Sequence, residues 1–341
     1  MANQQLINYI KQALQQKNQA QISEELKQAG WQEKSIEEAF VELGLVKKTN
    51  LWDIGSLFEK TWHLYTSRLG VFVLIRLIGL APFFLVIPIV LLFLFAHVLG
   101  ELIAVIIIFL IIFLFIGVFL MGLWTDVALL QAIKEEEKIG VKHALRRGWS
   151  KLIPYIWIKI LVSLILGVGF CLPLGIFALI LYYLLAPFLN IILVIILAIP
   201  LLVILLVPGI ILWIWLSLAD FAFISEDKKG MAAIYRSKQL VEGKWWHVFF
   251  RLFLVRIITF AILMPISFIA GGLDMIIYTL LIYPFILTFL FFIYKDLSYL
   301  KSGISSHVPS KKYRALFIVI ALLGVILPVV GLGIFLAFFI L

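Results

Sequence analysis

Hydrophobic positions recur at helical spacing from the start of the chain. Leu6, Ile7, Ile10 and Leu14 form one stripe, Ile22, Leu26 and Ala29 a second, and Ile36, Ala39, Phe40 and Leu43 a third. That is the i, i+3, i+4 repeat of short amphipathic helices. Ser35 and Glu38 have the spacing of a capping box for the third helix, and Gly30 and Gly44 stand where glycines end helices. The pattern predicts a three-helix module over residues 1–48, and its polar opening, Met1-Ala-Asn-Gln-Gln-Leu, lacks the apolar core of a cleavable signal peptide. From Leu69 onward the period gives way to continuous apolar runs. Seven of them, at about 70–96, 102–129, 153–181, 189–218, 249–272, 275–294 and 315–339, reach the roughly 20 residues a helix needs to cross a bilayer.

The connections between these runs alternate in charge. Residues 130–152 carry Lys134, Lys138, Lys142, Arg146, Arg147 and Lys151; residues 219–248 carry Lys228, Lys229, Arg236, Lys238 and Lys244; residues 295–314 carry Lys295, Lys301, Lys311, Lys312 and Arg314. The alternate connections hold no Lys or Arg, only His97 and Glu101, Pro187 and Asn190, and Asp274. The positive-inside rule then predicts a multi-pass protein with a cytoplasmic N-terminus and Leu341 outside. Sixty residues between Lys159 and Asp220 lack any Asp, Glu, Lys or Arg. Three spans would fit there but would put the later basic connections outside, so two long spans are expected. The expected organisation is the module at 1–48, a six-span domain at 52–300, and a basic loop with a seventh span at 301–341.

A threefold pattern runs through residues 52–300. Each run that follows a basic or amphipathic stretch carries a cation a turn or two in: Arg76, Lys159 and Arg256, preceded by Arg68, Lys151 and Arg251. Each is introduced by a Trp-bearing stretch, with Trp62, Trp149, or Trp245 and Trp246, and Ser56 with Glu59 spells a capping box before the first. Each returning run ends near an aspartate: Asp126, Asp220 and Asp296. Three pseudo-repeated hairpins with a polar layer are expected, since repeats in membrane proteins share a core. The layer admits two readings, a site for anionic headgroups or structural ion pairs with snorkelling cations. The tryptophans read as interfacial anchors.

Composition agrees with lipid as solvent. Of 341 residues 64% are hydrophobic and 14% charged, against about 25% charged in soluble domains. Residues 1–50 hold six Lys and six Glu, so the net charge of +9 belongs to the remainder, beside apolar runs. That placement argues for the positive-inside rule rather than nucleic acid. A single cysteine, Cys171, excludes a disulfide scaffold, and five scattered histidines offer no metal site. No P-loop, H-E-x-x-H, G-x-S-x-G, C-x-x-C or GxxxG spacing occurs, and no cofactor or enzymatic reaction is expected.

Two stretches carry a resemblance. Phe221-Ala-Phe-Ile-Ser-Glu-Asp with Met231-Ala-Ala-Ile-Tyr-Arg-Ser-Lys-Gln-Leu-Val-Glu-Gly-Lys-Trp-Trp, together with Ile293-Tyr-Lys-Asp-Leu, resembles the six-span family that includes the membrane domain of bacterial glycerophosphoryl diester phosphodiesterases. The likeness covers about 52–300 and implies a bacterial inner membrane. It implies no phosphodiesterase activity, because the catalytic barrel has no counterpart here. The first 45 residues, with their Gly30-Trp31 turn, resemble ubiquitin-associated-like three-helix modules. The expected function is an all-α polytopic protein that binds or organises lipid at the cytoplasmic leaflet and recruits a soluble partner through residues 1–45. The alternative is a transporter or lipid flippase whose pathway is the repeat.

Overall fold

The computed structural model describes residues 4–15, 17–43, 45, 51–85, 88, 101–135, 137, 139–181, 191–269, 271–301, 315, 317–324 and 326. Among these, every regular element is helical. The N-terminal module comprises α1 (Gln4–Ala13), α2 (Gln19–Gln28) and α3 (Glu33–Glu42), packed around Leu6, Ile10, Ile22, Leu26, Ile36 and Phe40. The predicted stripes supply this core, with Leu14 and Leu43 at its edge, whereas Ala29 of the second stripe is exposed. Helix α2 opens on a reciprocal box in which Asn18 caps Gln21 and the Gln21 side chain returns to Asn18. It ends on Gly30 at φ +87°, where Trp31 N–H reaches the Leu26 carbonyl, the close that a left-handed glycine permits.

The predicted Ser35–Glu38 box does not form. Helix α3 begins three residues earlier, with Gln32 at its cap position and no side-chain cap, and Glu38 instead forms an ion pair with Lys60 at 2.6 Å. Gly44 lies outside the described residues.

The hydrophobic portion is helical among the described residues. Helix α4 (Ile54–Leu80) ends in a 3-10 turn, Ala81–Leu85; α5 spans Glu101–Lys134; a short α6 (Val141–Ser150) leads into α7 (Leu152–Ile180) and α8 (Ile191–Leu216). Short helices α9 (Ala219–Glu226) and α10 (Met231–Val241) connect to α11 (Trp245–Ile269). Helix α12 (Leu273–Ile277) passes through a π-helical turn, Tyr278–Ile282, into α13 (Tyr283–Leu300). Among the described residues, six helices are long and apolar enough to cross a membrane: Ile54–Leu85, Val105–Lys134, Leu152–Ile180, Ile196–Glu226, Trp245–Ile269 and Leu273–Leu300. Large side chains such as Phe109, Phe113 and Phe115 stand exposed on α5, a surface that suits lipid and not water.

The expectation of two helices between Lys159 and Asp220 agrees with α7 and α8; residues 182–190, including Tyr182, Tyr183, Pro187 and Asn190, lie outside the described residues. Of the seventh run, 317–324 is helical, with Phe317 and Ala321 packed on Leu161, Ile165 and Tyr235. The rest of that run is outside the described residues, as are His97 and residues 302–314.

The start of the first long helix differs from the sequence pattern. Helix α4 is continuous from Ile54, so the stretch around Trp62 is the start of the first span and no separate interfacial helix. Arg68, just before the apolar run, is buried and donates to the Ala132 carbonyl at 2.5 Å, so its charge does not interrupt the helix. The cap is Asp53, which accepts from Ser56 N–H at 3.0 Å, in place of the Ser56–Glu59 box. Before the second hairpin the helix does break, between α6 and α7. Pro154 has no N–H to offer the Ser150 carbonyl, so a continuous helix is unavailable there. Before the third, Gly243 at φ +77° makes the break.

The basic connections gather at one end of the bundle. Lys134 Nζ donates to the Ile224 carbonyl (3.0 Å), Lys151 pairs with Asp227 (3.0 Å), and Lys301 donates to the carbonyls of Gln239 and Glu242. The hydrogen bond from Lys151 holds the Asp227 carboxyl below the usual carboxylate range, and burial pulls the Lys301 ammonium down from its ordinary value. Beneath this end lies the main core, with Phe72, Tyr155, Phe221, Phe223, Phe289 and Phe292 fully buried. Glycine lets α7 and α8 touch: a Cβ on Gly209 would lie 2.7 Å from the Gly169 carbonyl oxygen.

Candidate functional site

Each expected aspartate has a cation opposite it. Arg76 on α4 meets Asp126 on α5 at 2.6 Å, and Lys159 on α7 meets Asp220 on α9 at 2.6 Å. The third pair departs from the sequence pattern. Asp296 on α13 is fully buried and is met at 2.8 Å by Arg251, whereas Arg256 is exposed on α11 with no ion pair among the described residues. The reason is angular. Five residues on a helix turn the side chain through about 500°, so Arg251 and Arg256 cannot share a face. Arg251 faces the bundle, which leaves Arg256 on the lipid-facing side.

The first two pairs form one polar cluster. Tyr283 donates to Asp126 at 3.3 Å while the Arg76 guanidinium stacks 4.0 Å above the Tyr283 ring. The Lys159 ammonium lies 5.0 Å from the Tyr155 ring centre, and fully buried Tyr155 is within electrostatic reach of Asp220, Asp126, Tyr283 and Arg76. Two cations and two carboxylates cancel in charge. The cluster therefore joins α4, α5, α7, α9 and the π-turned α12–α13 segment, and its cations are already held by carboxylates.

The Arg251–Asp296 pair is wired differently, through backbone. Trp52 N–H donates to both Asp296 oxygens at 3.2 Å, and Arg251 donates to the Trp52 carbonyl. The Trp52 ring lies 3.9 Å beneath Lys60 Nζ, the lysine paired with Glu38 of the module. Trp52 thus links the module, α4, α11 and α13.

Beside this hub a cleft of about 650 Å³ opens between the starts of α4 and α11. Trp52, Asp53, Lys244, Trp246, His247 and Arg251 line it. The first-turn amides of α11 begin at its edge, and such amides with their dipole favour an anion. Lys244 and His247 add positive or donor groups, while Arg251 is held by Asp296 and the Trp52 carbonyl and Asp53 is turned to its own helix cap. The chemistry of the cleft is that of an anion receptor with aromatic edges.

No protein-family model, curated protein or solved structure matches this chain significantly.

The tryptophans expected as anchors divide. Trp62, Trp149 and Trp246 are exposed, as anchors would be. Trp245 instead packs inward, stacked on Phe249 at 5.3 Å, with its indole N–H buried and without an acceptor among the described residues. The stretches quoted for the family resemblance come together in space: Glu226 accepts from Arg236 Nε (2.7 Å) and from Tyr294 Oη (2.8 Å), and Phe221 packs on Phe291 and Tyr294. This is a structural knot at the basic end. Among the described residues no group of three His, Cys, Asp or Glu is placed to hold a metal ion.

The cleft residues were the ones the sequence pattern missed. Their signal is present, since Lys244, His247 and Arg251 stand at i, i+3 and i+7 on one helical face. The break at Gly243 hides it, because Lys244 then reads as part of a loop.

Proposed function

We propose that this chain is a non-enzymatic multi-pass membrane protein that binds anionic lipid headgroups at the cytoplasmic leaflet, using the cleft between α4 and α11. The single observation that carries the reading is the gathering of Lys244 and His247 with the first turn of a 25-residue helix in a cavity rimmed by exposed Trp246. The intramembrane pairs Arg76–Asp126 and Lys159–Asp220 then act as structural clasps, since each cation already has a carboxylate. The positive-inside rule supports a cytoplasmic placement of the basic end, and the family likeness supports a bacterial inner membrane. The module at residues 4–43 is assigned a docking role for a soluble partner; its tie to the membrane domain through Glu38 and Lys60 supports holding that partner beside the cleft.

Native mass spectrometry of protein released from nanodiscs of phosphatidylglycerol and phosphatidylcholine tests the headgroup site. A surface cation is worth about 1 kcal/mol toward anionic lipid, so Lys244→Gln with His247→Gln is expected to reduce retained phosphatidylglycerol by roughly five- to tenfold. Arg256→Gln, which removes an exposed charge outside the cleft, is expected to leave retention unchanged. Equal loss in both variants would show bulk attraction in place of a site.

A further inference from the structure

We propose that the groove between α4 and α11 seats one whole anionic phospholipid, with its phosphate in the Lys244–His247 cleft and one acyl chain in an apolar slot further along the same two helices. This rests on the headgroup reading above and adds to it a chain site. The slot encloses about 310 Å³ and is lined by Phe58, Trp62, Tyr65, Ile258, Ile262 and Phe285, among other apolar groups. Both volumes lie in the range of ligand pockets.

Slot and cleft share their walls. On α11 the cleft-lining Lys244, His247 and Arg251 are followed by the slot-lining Val255, Ile258 and Ile262. The spacings are three or four throughout, so one helical face is basic for two turns and apolar for the next three. On α4, Ile54 lines the cleft and Phe58, Trp62 and Tyr65 line the slot, an apolar wall that runs past both. From Arg251 to Ile262 the helix rises about 16 Å, close to the roughly 15 Å depth of one leaflet's hydrocarbon. The groove has the amphipathic profile of a lipid and one leaflet's length.

The floor of the slot adds an independent mark. Leu281 and Ile282, which line it, belong to the π-helical turn Tyr278–Ile282. Pro284 lacks the N–H that would bond the Leu280 carbonyl in a regular helix, and the turn widens there. Such turns are rare and concentrate at functional sites. The basic-then-apolar order along one face of α11 is the order of headgroup and chain in a phospholipid, and it commits the groove to a lipid in place of a second helix.

Lipid tails are as apolar as the slot, so the chain gains nothing from leaving water and is selected by packing against the aromatic walls. The expected selectivity is modest. Nanodiscs containing equal lauroyl and oleoyl phosphatidylglycerol, read by native mass spectrometry, should show wild type retaining the oleoyl lipid about fivefold over the lauroyl one. Ile258→Trp and Ile262→Trp fill the slot and should abolish that preference while total phosphatidylglycerol still falls on Lys244→Gln with His247→Gln. Phe285→Ala widens the slot and should turn the preference toward a branched phytanoyl chain, which decides the matter if a filled variant fails to fold. Unchanged preference in the slot variants, with loss in the cleft variant, overturns the chain site and leaves the headgroup site standing. Unchanged retention in the cleft variant overturns the headgroup site itself. A dimer that disappears on filling the slot would assign it to a second copy of the chain and overturn the proposal.

Discussion

Asp296→Ala is expected to lower the thermal midpoint of the detergent-solubilised protein by about 10 °C, the largest effect of any single substitution considered. Asp296 is wholly buried and Arg251 is 6% exposed. Removing the carboxylate leaves the guanidinium uncompensated, a loss of about 3–5 kcal/mol for buried pairs. The Trp52 N–H loses its acceptor in the same step. Replacing both partners, Arg251→Met with Asp296→Leu, removes the charge problem and is expected to recover about half of the loss. Recovery stays partial because the Trp52 backbone groups remain without their side-chain partners. A midpoint for Asp296→Ala within experimental error of wild type would contradict this assignment. The measurement is a thermal shift followed by size-exclusion chromatography.

The second large effect is expected at Gly209. Its Cβ position lies 2.6 Å from the Phe170 ring and 2.7 Å from the Gly169 carbonyl oxygen, closer than real Cβ atoms approach. Phe170 can turn aside, but the carbonyl belongs to the α7 backbone. Gly209→Val should therefore push α7 and α8 apart, at about 1–3 kcal/mol for overpacking. The same substitution at Gly175, where a Cβ meets nothing within 4 Å, is the matched control and should leave the midpoint nearly unchanged. Crosslinking between cysteines placed across the α7–α8 contact should slow in Gly209→Val and not in Gly175→Val.

The helices and the residues that carry their charges were legible because solvent imposes them. Leu6, Ile10, Ile22 and Phe40 follow a 3.6-residue period that only a helix satisfies, and the uncharged runs of α5, α7 and α8 have no other home than lipid. Boundaries were legible where chemistry breaks the backbone pattern, as at Gly30. They were not where a buried charge is neutralised at long range. Arg68 looks like the edge of a span until the Ala132 carbonyl, 64 positions away, accepts a hydrogen bond from it.

The partner of Asp296 was obscured for the same reason. Depth along a helix is read directly from residue number, but the face is fixed by what packs against it, and that favours Arg251 over Arg256. The cleft needs two helix starts, at Ile54 and Trp245, nearly 200 residues apart in sequence. No local pattern contains that juxtaposition. The basic-then-apolar face of α11 is visible in sequence only after Gly243 is known to end the preceding segment.

The central claim, a lipid seated headgroup-first between α4 and α11, is tested most directly by photolabelling in nanodiscs. Two phosphatidylglycerol probes would be used, one with a diazirine in the headgroup and one with a diazirine near the end of an acyl chain, followed by peptide mapping. Headgroup adducts are predicted on residues 51–54 and 244–251, and chain adducts on 255–262 and 281–285. Adducts of both probes spread at equal yield over the exposed face of α5, around Phe109, Phe113 and Phe115, would contradict it.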